Sequence, residues 1–171
     1  MKRTTEWYMQ EAANILRQIN YAAVATVTAS GRPWCTPVYA WHDDQARIYW
    51  VSDRESRHSQ NVRRTGQAFI VLFDSTFALD LPSGSRRGVY LQALVREVDS
   101  PKAIAAALRH EKPERRGRMQ PAHMLAPSVR RLYCATPLRA WMNDVQKKQG
   151  VFIRDFRVEL PLPEIRSRLL Y

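Results

Sequence analysis

The sequence predicts a mainly-β fold with flanking helices, an antiparallel barrel of six or seven strands. Three observations carry this. Segments rich in β-branched and aromatic residues recur along the chain, separated by turn signals. A single amphipathic helical pattern precedes them, and only short helical stretches fall between them. The order is therefore not the alternating βαβ series of a doubly wound sheet.

The elements follow in chain order. Tyr8, Ala12, Ile15, Leu16 and Ile19 recur at helical spacing and place a helix over residues 4–19. YAAVATVT reads as the first strand, ASGRP as a turn and WCTPVYAW as the second strand. HDDQA is a polar turn before RIYWVS, the third strand of a meander. Asp53 is the expected cap of a helix over Ser56 to Arg64 that Gly66 ends. QAFIVLF is almost wholly apolar, which predicts a fourth strand buried on both faces. A loop with Pro82 and Gly84 precedes GVYLQALVREV, the fifth strand. Ser100 and Pro101 form an N-cap and first-turn pair for a short helix with Ile104, Ala105 and Leu108. Residues 111–127 hold Pro113, Gly117, Pro121 and Pro127 among charges and read as a loop or lid. VRRLYCATPLRAWMN is the sixth strand, with Pro137 at an edge or bulge, and VFIRDFRVEL is the seventh. PLPEIRSRLLY is a tail read as folding over a partner. The whole is one domain over residues 1–171, with barrel strands from about 21 to 158 and a helical or loop insertion over about 100–127.

Composition narrows the function classes. Apolar residues make up 45% and charged residues 25%, the balance of a soluble globular protein. No apolar run approaches the ~20 residues that cross a bilayer. The N-terminal segment lacks the apolar core of a signal peptide. Cys35 and Cys134 are isolated thiols, which fits a reducing, cytoplasmic setting. The net charge is +11; of 27 basic residues five are lysine, so arginine dominates. These cations are spread along the chain as pairs, the pattern of a solvated surface, which argues against a nucleic-acid site. Neither GxGxxG nor a P-loop occurs. His42, His58, His110 and His123 fall in separate segments without metal-ligand spacing, so no metal is expected. Cys35 is read as a small buried apolar residue.

The chemistry-bearing stretch is VSDRESRHSQNVRR. Ser52, Ser56, Arg57 and His58 sit where a strand ends and a helix begins. Hydroxyl donors, a fork-shaped cation and free helix-start amides are the parts of an anion site. Arg54 and Asn61 are weaker candidates on the same segment. An ordinary capped helix with solvated arginines would read the same way.

The order and spacing of these pieces resemble the pyridoxamine-phosphate-oxidase-like FMN-binding split barrels. The resemblance runs from about Tyr21 to Phe73: the hairpin ATVTASGRPWCTPVYAW, the strand RIYWVS, then Ser52, Ser56, Arg57, His58, Asn61, Val62, Arg63 and Arg64, then QAFIVLF. It recurs loosely in GVYLQALVREV and LYCATPLRAWMN. It implies an FMN cofactor whose phosphate meets Ser52, Ser56, Arg57 and His58. It also implies that the flavin ring edge lies along Thr36, Pro37, Val38 and Tyr39. Arg139 and Trp141 would reach the cofactor from the second subunit of a homodimer. A small-molecule substrate and flavin redox chemistry are implied with them. Two departures stand out. His58 replaces the family's usual lysine, making phosphate affinity dependent on the imidazole's charge. The tail FIRDFRVELPLPE has no histidine, against the family's late Arg-x-His motif, which argues against pyridoxamine phosphate as substrate. Rival readings are a deazaflavin-dependent reductase, a non-catalytic flavin- or haem-binding stress-related protein, and a basic nucleic-acid-binding barrel.

Overall fold

The computed structural model describes residues 3–74 and 87–170. Pro82 and Gly84, read as loop residues, lie outside the described residues. Helix α1 (Thr5–Gln18) leads into β1 (Tyr21–Val27), β2 (Pro33–His42) and β3 (Ile48–Asp53). Then come α2 (Arg57–Thr65), β4 (Gln67–Phe73), β5 (Gly88–Val98) and α3 (Pro101–Leu108). Two 3-10 turns, Pro113–Arg115 and Pro121–Met124, precede β6 (Arg130–Lys148), β7 (Val151–Leu160) and α4 (Leu162–Leu169).

All the strand pairings are antiparallel, in the order β3-β2-β1-β4-β5-β6-β7. An added pairing of β3 with β6 closes the first six strands into a barrel. Closure removes the free edges that an open sheet would present. β6 serves both the barrel and β7: residues 130–135 ladder with β3 and residues 140–148 with β7. The sixth strand thus runs five residues past the expected Asn143. Its hairpin to β7 turns on Gln149 and Gly150, with φ of 49° and 81°, the left-handed pair that a two-residue turn requires. The register of β5 against β6 shifts between Gln92 and Ala93, opposite the Pro137–Arg139 stretch. Pro137 has no N–H to give the ladder, so the expected bulge falls there.

Two apolar cores result. The barrel interior packs Val24, Ile48, Trp50, Ile70, Leu91 and Met142 with one face of α1. A second core lies outside the barrel wall, where Trp41, Tyr49, Leu132 and Cys134 meet Ile104 of α3 and Met124. Asp43 locks the β2–β3 turn between them. Its buried carboxylate accepts from the amides of Gln45 and Arg47, from Arg47 Nε at 2.7 Å and from the Tyr49 hydroxyl at 3.0 Å.

Several expectations are corrected. β4 is buried on one face only, because Ala68, Ile70 and Leu72 point into the barrel while Gln67 and Phe73 are exposed. Asp53 does not cap α2: its carboxylate accepts from Glu55 N at 2.7 Å, closing the preceding turn, and Ser56 holds the cap position. Cys35 is exposed on β2. The tail folds onto its own chain, as α4 buries Ile165 and joins α1 through the Arg168–Glu6 ion pair at 2.6 Å.

Candidate functional site

Two neighbouring features make the candidate site: a fork between β2 and β3, and the start of α2. β2 ladders with β1 from Pro33 to Tyr39. With β3 it pairs only at Ala40, Trp41 and His42. β3 instead continues along β6, with Ser52 opposite Arg131 and Asp53 opposite Arg130. The two strands therefore part at Tyr39 and Val51. Beyond that point the main-chain groups of β2 that face away from β1 form no ladder with β3. A cavity of about 500 Å³ lies at the fork. Tyr39 and Trp41 wall it from β2, and Val51, Ser52 and Asp53 from β3; Arg115, Met119, Val129 and Arg130 complete it from the connection to β6. This volume falls in the range of small-molecule sites.

The start of α2, like that of α4, carries no side-chain cap, whereas α1 and α3 are capped. Thr4 caps α1 by accepting from Trp7 N at 3.2 Å, and Ser100 caps α3 by accepting from Ala103 N at 3.4 Å. Ser56 makes no such cap. Its hydroxyl donates to Asp53 O and sits 2.9 Å from Ser59 Oγ, leaving the first-turn amides of α2 uncapped. Arg57 beside them is exposed, and among the described residues no hydrogen bond or ion pair engages its side chain.

His58 turns the other way. It is buried, and its Nε2 lies 2.8 Å from Ser52 Oγ. Burial lowers its pKa below the ordinary value, so near neutral pH the imidazole is uncharged. The position that holds lysine in the resembling family thus contributes a neutral hydrogen-bonding ring. Asn61 is also buried; its amide donates to Thr26 Oγ1 at 2.9 Å and ties α2 to β1. That makes it a structural link.

A phosphomonoester needs several donors and one or two positive charges. Uncapped amides, the Ser52 and Ser56 hydroxyls and the unpaired Arg57 match that chemistry, so the residues fit the phosphate of FMN. The charge must come from Arg57 rather than His58.

The other expected residues divide. Tyr39 lines the cavity, as does Ser52. Val38 points into the barrel core and Pro37 is exposed opposite Ala23, so these two offer mainly backbone to the fork. Thr36 accepts from Trp34 Nε1 at 2.9 Å. Arg139 and Trp141 lie apart from the fork. Arg139 is held by Glu159 through two 2.8 Å bonds and stacks over Trp141 at 4.7 Å. Sequence reasoning missed Arg115, Met119 and Arg130. For Arg115 and Met119 the signal was the Pro-rich stretch 111–127, which marked a wall without marking the residues that face inward; Arg130 lies beyond that stretch, at the start of β6. Among the described residues, no group of three or more His, Cys, Asp or Glu is placed to hold a metal.

Comparison with known proteins agrees with this architecture. The family model described as pyridoxamine 5'-phosphate oxidase matches residues 8–138. No curated protein matches the sequence significantly. Among solved structures, a Clostridium acetobutylicum protein related to general stress protein 26 is 10% identical, with a TM-score of 0.62 over 95% of this chain and 99% of that one. A haem-binding protein from Mycobacterium smegmatis is 15% identical, with a TM-score of 0.67 over 98% of this chain and 62% of that one. The chain therefore spans less than two thirds of that protein. HutZ, a haem storage protein from Vibrio cholerae, is 16% identical, with a TM-score of 0.61 over 74% of this chain and 87% of that one. At these identities the likeness is one of fold.

Proposed function

The chain belongs to the pyridoxamine 5'-phosphate oxidase family, and from that premise we propose that it is an FMN-binding oxidoreductase acting on a small molecule. The observation that carries this reading is the fork. A cavity of ring-accommodating size opens where β2 leaves β3, with Ser52 in its wall and an uncapped helix start and Arg57 close by in sequence. Uncapped amides, the two serine hydroxyls and Arg57 bind the phosphate. The unladdered backbone of residues 36–39 meets the ring edge, and Tyr39 and Trp41 wall the cavity. FMN, when bound, supplies reversible hydride acceptance, and the chain supplies anchoring, orientation and exclusion of water.

A homodimer belongs to the same reading. Phe69, Tyr90 and Trp141 line the outer face of β4, β5 and β6, with Phe69 and Trp141 stacked at 6.1 Å. Phe73, Leu94 and Leu138 are exposed on the same strands. Such a patch calls for cover; a second copy seated there would bring Arg139 and Trp141 toward the neighbouring cofactor. Free Cys35 and Cys134 support a cytoplasmic setting.

A second reading is haem binding. It draws on the names of two solved neighbours and on His123, whose Nδ1 accepts from Gln120 N at 3.2 Å, leaving Nε2 available as a ligand. One experiment separates the two: a visible spectrum of the purified protein, followed by titration with FMN and with haemin. Flavin bands, or FMN binding lost on combined Ser56→Ala and Arg57→Ala substitution, support the flavin reading. A Soret band lost on His123→Ala, with no response to FMN, replaces it with haem.

A further inference from the structure

A second cavity lies on the outer face of the barrel and shares no lining residue with the fork. Tyr49 of β3, Cys134 of β6 and Arg96 of β5 stand opposite one another in successive ladders, a row across the outside of the wall. α3 packs over this row. Ile104 is fully buried there, but Ala103, Ala106 and Ala107 present only methyl groups, and a cavity of about 130 Å³ is left beside them. An apolar cavity of about 150 Å³ holds benzene, so this one suits a ligand of about six non-hydrogen atoms.

The charges lining it do not balance. Asp43 is matched by Arg47, with Nε and a terminal nitrogen each 2.7 Å from its Oδ2. The Tyr49 hydroxyl also donates to Asp43, and burial pushes the Cys134 thiol up, so it stays protonated near neutral pH. His110 turns its Nδ1 to Asp44 Oδ1 at 3.3 Å. Among the described residues, Arg96 has neither a hydrogen bond nor an ion pair. A single guanidinium without a counter-charge, beside Val98 and the methyl groups of α3, matches a carboxylate with a short alkyl tail.

The same cavity reaches the fork through its back wall. Tyr49 lines it, and Trp41, stacked on Tyr49 at 6.0 Å, lines the fork. Trp41 Nε1 donates to Ala107 O at 2.9 Å, so the helix that roofs one cavity holds a ring that walls the other. We propose that the cavity under α3 is a second ligand site for a short-chain monocarboxylate. Its oxygens meet Arg96, its alkyl tail lies under α3, and its occupancy is felt at the fork through Trp41. That last link rests on the reading of the fork as a ligand cavity. A ligand filling the gap fixes Ala107, and with it the hydrogen bond that orients Trp41.

The test is a heteronuclear NMR titration of the full-length protein without FMN, sodium butyrate replacing sodium chloride at constant ionic strength. Butyrate is expected to approach saturation at about 10 mM and to shift the amide signals of residues 103–107 and the Trp41 indole signal. It is expected to bind at least about tenfold more tightly than butyramide, with inorganic phosphate as weak as the amide. Arg96→Gln changes an exposed residue and is expected to erase the preference for butyrate. Ala106→Leu fills the cavity, keeps every charge, and is expected to abolish the response. Thermal melts report whether each variant folds; should Ala106→Leu fail to fold, Arg96→Gln decides alone. Equal responses to butyrate and to butyramide or phosphate, or a preference unmoved in folded Arg96→Gln, overturn the site. An indole signal that stays fixed while residues 103–107 saturate overturns the link to the fork. FMN titrated into the same preparations keeps the two ideas separate. FMN binding without a butyrate response sinks this inference alone, and a butyrate response without FMN binding sinks the flavin reading alone.

Discussion

The two ends of β2 have different partners: residues 33–39 ladder with β1, and residues 40–42 with β3. Ala40, Trp41 and His42 pair with β3, and around them lie Trp50 in the barrel core and Asp43 with its four donors. Residues 33–39 run free of β3, and there the cavity opens. Where β2 and β3 stay paired, the chain is a scaffold. Where β3 deserts β2 for β6, hydrogen-bonding groups are left for a ligand to take. A closed barrel thus gains a binding site by parting two neighbouring strands while the ring of pairings stays complete through β6.

Breaking the paired end should cost stability most. Trp50 is fully buried and stacks on Tyr133 at 5.5 Å, so Trp50→Ala should lose about 4 kcal/mol in chemical denaturation. Asp43→Ala leaves the Tyr49 hydroxyl and two turn amides without their acceptor. It should cost about 2 kcal/mol by the same measurement, discounted because Arg47 is partly solvated. Changes at the open end should move binding and spare the fold. Arg57→Ala removes a solvated cation, so the denaturation midpoint should stay put while FMN affinity falls about tenfold. An Arg57 variant that unfolded early, or one that bound FMN normally, would erase the contrast between the two ends.

The smallest effect concerns pH. Burial lowers the pKa of His58 and of His42 below the ordinary 6.5. The unfolded chain then takes up protons more readily than the fold does. Stability is therefore full above pH 6.5 and declines as pH falls from that value toward the lowered folded ones. His58→Asn should make this decline shallower in denaturation curves collected across that window, and an unchanged slope would show that the imidazole is solvated.

Much of this was legible from local chemistry. The Ser100–Pro101 pair caps a helix where its residue types predict, and Gly66, with φ of 65°, ends α2. Ser52, Ser56 and Arg57 were recognisable because a strand end and a helix start bring them together within a few residues. His58 could be picked out but not assigned a charge, since its neutrality follows from burial against Ser52. The one-sided burial of β4 was hidden because an apolar run looks the same whether its outer face is covered or bare.

By itself, then, the sequence determined the elements whose causes are local: strand alternation, turn residues, caps, and the cluster of anion donors at the start of α2. Tertiary structure alone decided the fork, because the pairing of β3 with β6 joins segments some eighty residues apart, beyond the reach of any local pattern. It also decided that Arg115 would lie over Tyr39 and that Arg130 would face Asp53 across a ladder. Those contacts arise from long-range register and from the packing of Met124 into the outer core, which fold a connecting segment into the wall of a binding site.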